Sequence, residues 1–228
     1  MPQSPLHRRD MLAMLAAGPA AFGMLSAIAR SDETKPSGGK VLLPIGDATE
    51  TMDTFYPFFR IAEEGLEVVV AGPEARLYHT VLHEVPPNSD VPWDITQERA
   101  SYHLKAEIAF RDVDPDDYIG MFVSGGRAPE YLRYDQDLLR ITRQMFAAKK
   151  PVGVTCHGIE IVSAAGVLEG KTCTTVGKCA LDIEQGGGTY VDQPIVRQGH
   201  LITSRTWHDY APFFHEFMKM LKSASQNT

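Results

Sequence analysis

The sequence of 228 residues has only three cysteines, and this small odd number excludes a scaffold built on several disulfide bonds. It also lacks a basic stripe, since 22 lysine and arginine residues stand against 29 acidic ones, a formal net charge of −7. We therefore discount nucleic-acid binding. The chain contains neither a dinucleotide-binding glycine fingerprint nor an internal repeat. Its hydrophobic fraction of 43% is ordinary for one globular domain.

The first 29 residues differ in character from the rest of the chain. Arg8 and Arg9 precede a weakly apolar run that ends in an A-x-A pattern at Ala29. Paired arginines before such a run are typical of a twin-arginine export signal, and the ending suits signal peptidase. We expect cleavage near this point and a periplasmic location. The alternative is an uncleaved anchor helix, which Gly18-Pro19 in the middle of the run disfavours.

These boundaries predict a signal peptide at 1–29, a linker at 30–39 and a single domain at 40–226. Within the domain, apolar runs typical of buried strands alternate with stretches of helical periodicity. Such alternation predicts an α/β fold, with a mostly parallel sheet covered by helices on both faces. The predicted strands are 41–45, 66–71, 118–124, 151–155, 172–175, 190–191, 195–197 and 201–204, the main predicted helices are 54–64, 129–149 and 209–222, and 74–105 is predicted to be loop-rich.

The most informative motif is Thr155-Cys156-His157-Gly158, where an apolar strand ends and a helix-like segment begins. A sharp turn from strand to helix is a nucleophile elbow, which places one side chain beside the free N–H groups of the helix. Because a helix N-terminus favours negative charge, we expect Cys156 to be biased toward the thiolate. The alternative is a buried packing cysteine, since free cysteine is among the most buried residue types.

Two acidic residues, Glu50 and Asp53, follow the first predicted strand at the start of a helix. Their spacing of three lets both face the crevice at the carboxyl ends of the strands. A protonated carboxyl group there can hydrogen-bond the sulfur of Cys156 and tune its reactivity. Capping of the helix by an acidic residue explains either position equally well.

Paired glycines, Gly125 and Gly126, follow another predicted strand and precede Pro129 and Glu130. Paired glycines allow a ligand to approach the backbone closely and can turn N–H groups toward an oxyanion. The alternative is a simple turn before a helix, with Pro129 at its first position and Glu130 complementing its dipole.

Two further residue pairs, one of histidines and one of cysteines, are weak indications of a functional site. His79 and His83 are four apart, a spacing that binds metal on a helix, but no third ligand is in register. We expect solvated histidines and no metal. Cys173 and Cys179 can pair in an oxidising compartment, although two buried thiols without a bond are the simpler expectation.

The segments GDATETMDTFYPF, SGGRAPEYLR, KPVGVTCHG and SAAGVLEGK, in this order, resemble the ThiJ/PfpI superfamily over about residues 40–221. The likeness is greatest to the PfpI-type intracellular proteases and their glyoxalase III-like relatives. It implies a flavodoxin-like three-layer sandwich with a mostly parallel central sheet, as in class I glutamine amidotransferases. It also implies a cysteine-dependent enzyme without cofactor or metal. The expected assembly is a homo-oligomer, a dimer or a hexamer of dimers.

The resemblance implies roles for individual residues. Cys156 is expected to be the nucleophile, His157 its base, and Asp53 the acid that hydrogen-bonds the sulfur, where relatives usually carry glutamate. Glu130 is expected to reach the histidine of an adjacent subunit. Val176 stands where PfpI-type proteins carry a pocket tyrosine, which disfavours peptidase specificity. The residues expected to bind substrate or form the oxyanion site are Gly125, Gly126, Glu50, Trp207 and His208, although a surface loop explains Trp207 and His208 equally well.

We therefore expect a thiol enzyme that acts on small reactive carbonyl compounds, with glyoxalase III or deglycase chemistry. We expect no nucleic-acid partner and, after signal cleavage, no membrane contact. One alternative is a PfpI-type peptidase or amidase that forms an acyl-enzyme on Cys156. Another is a redox sensor or protective chaperone in which Cys156 is oxidised without turnover.

Overall fold

The structure is a computed structural model that describes residues 38–84 and 97–226. The predicted signal peptide at 1–29 and most of the predicted linker, up to residue 37, lie outside the described residues. Among the described helices, none combines the length and the apolar character that a bilayer-crossing segment requires.

Seven strands of the described chain form the central sheet, and all neighbouring pairs are parallel except the pair at one edge. The inner strands are buried on both faces, which explains why they are nearly continuous apolar runs rather than alternating ones. In spatial order the strands are β11 (Ile195–Gln198), β12 (Leu201–Ser204), β8 (Val152–Thr155), β7 (Tyr118–Val123), β1 (Lys40–Pro44), β3 (Glu67–Gly72) and β6 (Ile108–Ala109).

Helices cover both faces of this sheet, so the predicted three-layer arrangement is confirmed. Successive residues of β1 point to opposite faces, with Leu42 in one core cluster and Val41 and Leu43 in the other. One face is covered by α1 (Thr51–Ala62) and α6 (Tyr210–Ser225), and the other by α2 (Ala128–Leu132), α3 (Gln136–Ala147), α4 (Ile159–Ala164) and α5 (Ala180–Gln185).

The stretch predicted to be loop-rich contains two paired strands, so that prediction is wrong for its described part. β4 (Leu77–Glu84) pairs antiparallel with β5 (Gln97–Lys105), and the two-residue strand β2 (Thr49–Glu50) pairs with β4. Most β5 side chains are exposed. The sequence of such an edge strand therefore shows no apolar alternation from which it could be predicted. A further small sheet joins β9 (Thr172–Cys173) to β10 (Thr189–Tyr190).

The long helix predicted at 129–149 is two helices, α2 and α3. Asp135 begins the second one, because its Oδ1 atom accepts hydrogen bonds from the N–H groups of Asp137 and Leu138, both at 3.0 Å. An aspartate in this position satisfies N–H groups that have no partner within the helix. The helical periodicity of the sequence continues from α2 into α3, so it does not indicate that a second helix begins at this point.

Asp135→Ala is expected to lower the free energy of unfolding by about 1 kcal/mol, because two N–H groups lose their acceptor. Urea unfolding followed by circular dichroism measures this loss. Asp137→Ala is the matched control, since this acidic residue lies in the first turn without capping it. We expect the control to lose less than about 0.5 kcal/mol. Equal losses in the two variants would show that capping by Asp135 is unimportant.

Candidate active site

The predicted elbow is present at the carboxyl end of β8. Cys156 has φ +51°, a left-handed conformation that residues other than glycine rarely adopt. A 3-10 turn at Cys156–Gly158 follows and leads into α4. A Cβ at Gly158 would lie only 2.7 Å from the carbonyl oxygen of Val123, so the tight turn against β7 requires glycine there.

The loops after β1 and β7 meet beside this elbow, as expected for adjacent parallel strands. The N–H of Glu50 donates to the carbonyl oxygen of Gly125 at 3.1 Å, and the N–H of Arg127 donates to that of Ala48 at 2.8 Å. Gly126 has φ +89°, and a Cβ there would collide with the Glu50 backbone. The paired glycines are thus needed for the close contact of the two loops.

Glu50 and Asp53 are both buried in the candidate site, each with 1% exposure. The Oε2 atom of Glu50 accepts the N–H of Asp53 at 2.6 Å, so Glu50 caps α1 while it lines the crevice. Tyr210 donates its hydroxyl to Oδ1 of Asp53 at 2.7 Å, whereas Oδ2 has no hydrogen-bond partner of good geometry in the described structure. Tyr210, at the start of α6, is a site residue that the sequence analysis missed.

The pKa values of both carboxyl groups lie above their ordinary values. Burial raises the pKa of Glu50 to about 7. Burial also raises the pKa of Asp53 well above its usual range, and the nearby charge of Glu50 raises it further. Near neutral pH the pair therefore retains at least one proton. Oδ2 of Asp53 is the oxygen with room to carry it.

The absence of a side chain at Gly125 allows Asp53 and Cys156 to lie close to each other. A Cβ at this position would lie 2.7 Å from Oδ2 of Asp53, 3.1 Å from Sγ of Cys156 and 2.6 Å from the Cβ of Cys156. The acid oxygen and the sulfur therefore approach the same face of residue 125, and any side chain there would separate them. Oδ2 of Asp53 and Sγ of Cys156 are thus neighbours across Gly125, and in the described structure Oδ2 forms no hydrogen bond.

The surroundings of Cys156, which is half-buried, oppose the expected bias toward the thiolate. Burial raises the pKa of its thiol, and the negative charges of Asp53 and Glu50 act in the same direction. The backbone N–H groups of His157 and Gly126 point at the sulfur and lower the pKa, but they do not outweigh burial. Of these two groups, the N–H of Gly126 belongs to the predicted oxyanion site.

His157 is held by a residue that the sequence analysis missed. Its Nδ1 atom lies 2.7 Å from Oε1 of Glu160, which is 5% exposed. The other oxygen of Glu160 pairs with Arg133 at 3.2 Å, and Arg133 pairs with Asp182 at 2.8 Å. The i, i+3 spacing of His157 and Glu160 on a helical segment is the signal that could have predicted this contact.

The site opens into a cavity of about 250 Å³. The hairpin of β4 and β5 contributes His83 and Glu98, whose Nε2 and Oε2 atoms lie 2.9 Å apart. The expectation of a solvated histidine is therefore wrong for His83, whereas His79 is half-exposed and pairs with Asp47 at 3.0 Å. The cavity is lined by Glu50, Asp53, His83, Glu98, Arg127, Glu130, Cys156, His157, Val176, Lys178, Thr206 and Trp207.

Of the remaining predicted residues, Trp207 and Glu130 line the cavity but His208 does not. His208 is exposed and stacks on Trp207 with ring centroids 3.6 Å apart. Glu130 forms a two-point ion pair with Arg127, at 2.5 and 3.0 Å. Its expected contact with the histidine of another subunit stays a prediction.

Among the described residues, His157, Glu160 and Cys179 could together contact a metal ion, since their ligand atoms lie within 4.8 Å of one another. Glu160 already pairs with His157 and with the Arg133 guanidinium, so an ion would have to compete with a cation in place. All three cysteines of the chain are free thiols, and Cys173 and Cys179 are buried.

Comparison with known proteins decides the family. A model of the DJ-1/PfpI family matches residues 39–220. The chain belongs to the DJ-1/PfpI family. This confirms the resemblance that the motifs around Cys156 indicate.

Individual relatives agree with the family assignment. The chain is 34% identical over 183 residues to a protein named deglycase from Thermococcus kodakarensis, covering 80% of this chain and 99% of that one. Deglycase PfpI from Pyrococcus furiosus is 31% identical with the same coverage. The structure of a ThiJ/PfpI domain protein from Brachyspira murdochii, 14% identical, gives a TM-score of 0.68 over 81% of this chain and 96% of that chain. That likeness confirms the flavodoxin-like fold.

The raised pKa of Glu50 makes the stability of this DJ-1/PfpI protein depend on pH. The folded state binds the proton more tightly than the unfolded chain, whose ordinary value is 4.5. The contribution of Glu50 to the free energy of unfolding is therefore most favourable below about pH 4.5, falls as the pH rises to about 7, and then levels off. The full contribution is about 3 kcal/mol. Urea unfolding between these pH values measures the slope.

Glu50→Gln is expected to flatten that slope, because the amide does not titrate. Glu63→Gln is the matched control at an exposed position, where the side chain is 70% exposed. An unchanged slope in Glu50→Gln would contradict the assignment of a raised pKa to this residue.

The raised pKa of Cys156 predicts slow alkylation at neutral pH. The rate with iodoacetamide is expected to keep rising to at least about pH 9, because only the thiolate reacts. Mass spectrometry of the labelled peptide measures the rate, and Cys156→Ser reports any labelling of the two buried cysteines. A rate that is constant between about pH 6 and pH 8 would instead indicate a preformed thiolate.

Proposed function

We propose that this protein is a thiol-dependent enzyme that acts on small reactive carbonyl compounds by deglycase or glyoxalase III chemistry. The observation that carries the proposal is the position of Cys156 on an elbow, in a cavity shared with buried Asp53 and with His157. Relatives named deglycase, which align over 99% of their own length, support it. A nucleophile, an acid and a base in one small cavity suit a substrate that must both add a thiol and move a proton.

The size of the cavity supports a small substrate. Pockets for drug-sized ligands usually measure about 300–1,000 Å³, and this one measures about 250 Å³. An oxoaldehyde fits such a space, whereas an extended peptide needs a longer groove. Val176 in the wall supplies no hydroxyl group for a peptide amide. Both observations disfavour the peptidase alternative.

The first step proposed for methylglyoxal is addition of the thiol to the aldehyde. The sulfur of Cys156 bonds to the aldehyde carbon, and the thiol proton passes to the carbonyl oxygen, giving a neutral hemithioacetal. Because the thiolate is the attacking species, the raised pKa of the thiol requires a base that takes the proton as the carbon–sulfur bond forms, and His157 in the same cavity is the candidate for it. A protonated Asp53 places no negative charge next to the attacking sulfur.

The second step is a proton transfer between carbons. A base, His157 or Glu130, takes the proton from the former aldehyde carbon and returns it to the neighbouring carbon, while the proton of the hemithioacetal hydroxyl group passes to the ketone oxygen, giving a lactoyl thioester on Cys156. The first carbon is oxidised and the second is reduced, so no external oxidant or reductant is needed. Water then hydrolyses the thioester to lactate and restores the thiol.

The redox-sensor alternative leaves His157 without a role, because oxidation of Cys156 requires no proton transfer between carbon atoms. Export to the periplasm and a homo-oligomer that shares Glu130 across its interface are further proposals. The first rests on residues 1–29 and the second on the family resemblance.

Purified protein incubated with methylglyoxal is expected to form lactate, because the site provides both the thiol addition and the proton transfer. Cys156→Ala is expected to lose at least about 10³-fold in rate, since the covalent intermediate cannot form. Enzymatic lactate determination and NMR of the product measure both rates.

Cys173→Ala is the matched control, because it removes a buried thiol that belongs to β9 and does not line the cavity. We expect it to keep most of the activity. Circular dichroism establishes that each variant is folded. Folded wild-type protein that forms no lactate, or a Cys156→Ala variant as active as wild type, would overturn the proposed reaction.

A further inference from the structure

The hydrogen bond between His157 and Glu160 determines which ring nitrogen of His157 is free. Burial alone would raise the pKa of Glu160, but the hydrogen bond and charge of His157 and the charge of Arg133 together lower it. Glu160 is therefore a carboxylate, which can only accept hydrogen bonds. At 2.7 Å, Nδ1 of His157 must be the donor.

This contact leaves Nε2 as the nitrogen with the lone pair in neutral His157. A ring that donates from Nδ1 has a single other nitrogen, and that nitrogen can accept a proton. His157 lines the cavity next to Cys156. Of the two candidate bases for the proton transfer, His157 is therefore the one whose tautomer depends on Glu160.

Glu160 is itself held in place from several sides. Arg133, at the end of α2, contacts its Oε2 at 3.2 Å, and the thiol of Cys179 donates to its Oε1 at 3.6 Å. Asp182 on α5 fixes Arg133 with a contact of 2.8 Å. A carboxylate held in this way cannot turn away from the imidazole without breaking a partly buried ion pair.

We propose that Glu160 is a positioning residue that holds His157 in the Nδ1–H tautomer, so that a single chain supplies the carboxylate partner of its own histidine. The role in turnover rests on the proposed function. It differs from the expectation that Glu130 of another subunit performs this task. Glu130 of the same chain is paired with Arg127, whereas Glu160 is already in contact with the ring.

The test is Glu160→Gln, with two measurements. In protein labelled with ¹⁵N-histidine, the ring nitrogens of His157, assigned from the spectrum of His157→Gln, report the tautomer directly. We expect the Nδ1–H form to dominate in wild type and the Nε2–H form to increase in Glu160→Gln. We also expect kcat for lactate formation to fall about 100-fold, with KM within about threefold of wild type.

Two further variants separate positioning from mere structural support. Glu160→Asp keeps the charge on a shorter side chain, and we expect it to retain the Nδ1–H tautomer with an intermediate kcat. Asp182→Asn weakens the outer ion pair without touching His157, and we expect an unchanged tautomer with a much smaller loss of kcat than in Glu160→Gln.

Either of two results would overturn the proposal. One is a wild-type His157 that carries its proton on Nε2, and the other is an equal loss of kcat in Asp182→Asn and Glu160→Gln with the tautomer unchanged in both. If the wild-type protein forms no lactate, the proposed reaction fails. The tautomer measurement still decides whether Glu160 positions His157.

Discussion

The site depends on the burial of two carboxyl groups, Glu50 and Asp53, against the thiol of Cys156. Burial raises both carboxyl pKa values, so a proton remains beside the sulfur at a pH where exposed carboxyl groups have lost theirs. Asp53 and Cys156 can approach each other because residue 125 is glycine, and because the loops after β1, β7 and β8 meet at one edge of the sheet. Without this enclosure the thiol would be an ordinary exposed cysteine with an ordinary pKa.

Much of this arrangement could be predicted from the sequence because its signals are local. The buried strands are continuous apolar runs, and the run that ends in Cys156-His157-Gly158 marks a turn whose geometry only a few residues can adopt. Loops at the carboxyl ends of parallel strands meet at one edge of the sheet. This rule predicts that Glu50, Asp53 and the paired glycines lie near Cys156. The family resemblance implies the roles of individual site residues. The match to the DJ-1/PfpI family model over residues 39–220 confirms that the chain belongs to this family.

What could not be predicted depends on contacts between distant parts of the chain. β5 is an exposed edge strand without apolar alternation, so neither the hairpin nor the position of His83 on the cavity wall follows from its sequence. The break before α3 depends on a single capping side chain, Asp135, within an otherwise continuous periodicity. The expected lowering of the Cys156 pKa is opposed by burial, a tertiary property that outweighs the N–H groups that the elbow supplies.

The most direct test of the central claim is infrared spectroscopy of the carboxyl groups at about pH 6, below the pKa of Glu50. A protonated carboxylic acid has a C=O stretching band that an ionised carboxylate lacks. The account predicts such a band in the wild-type protein, reduced in Glu50→Gln and in Asp53→Asn and lost when both positions are substituted. A wild-type spectrum with ionised carboxylates alone, or a band that survives both substitutions, would contradict the account.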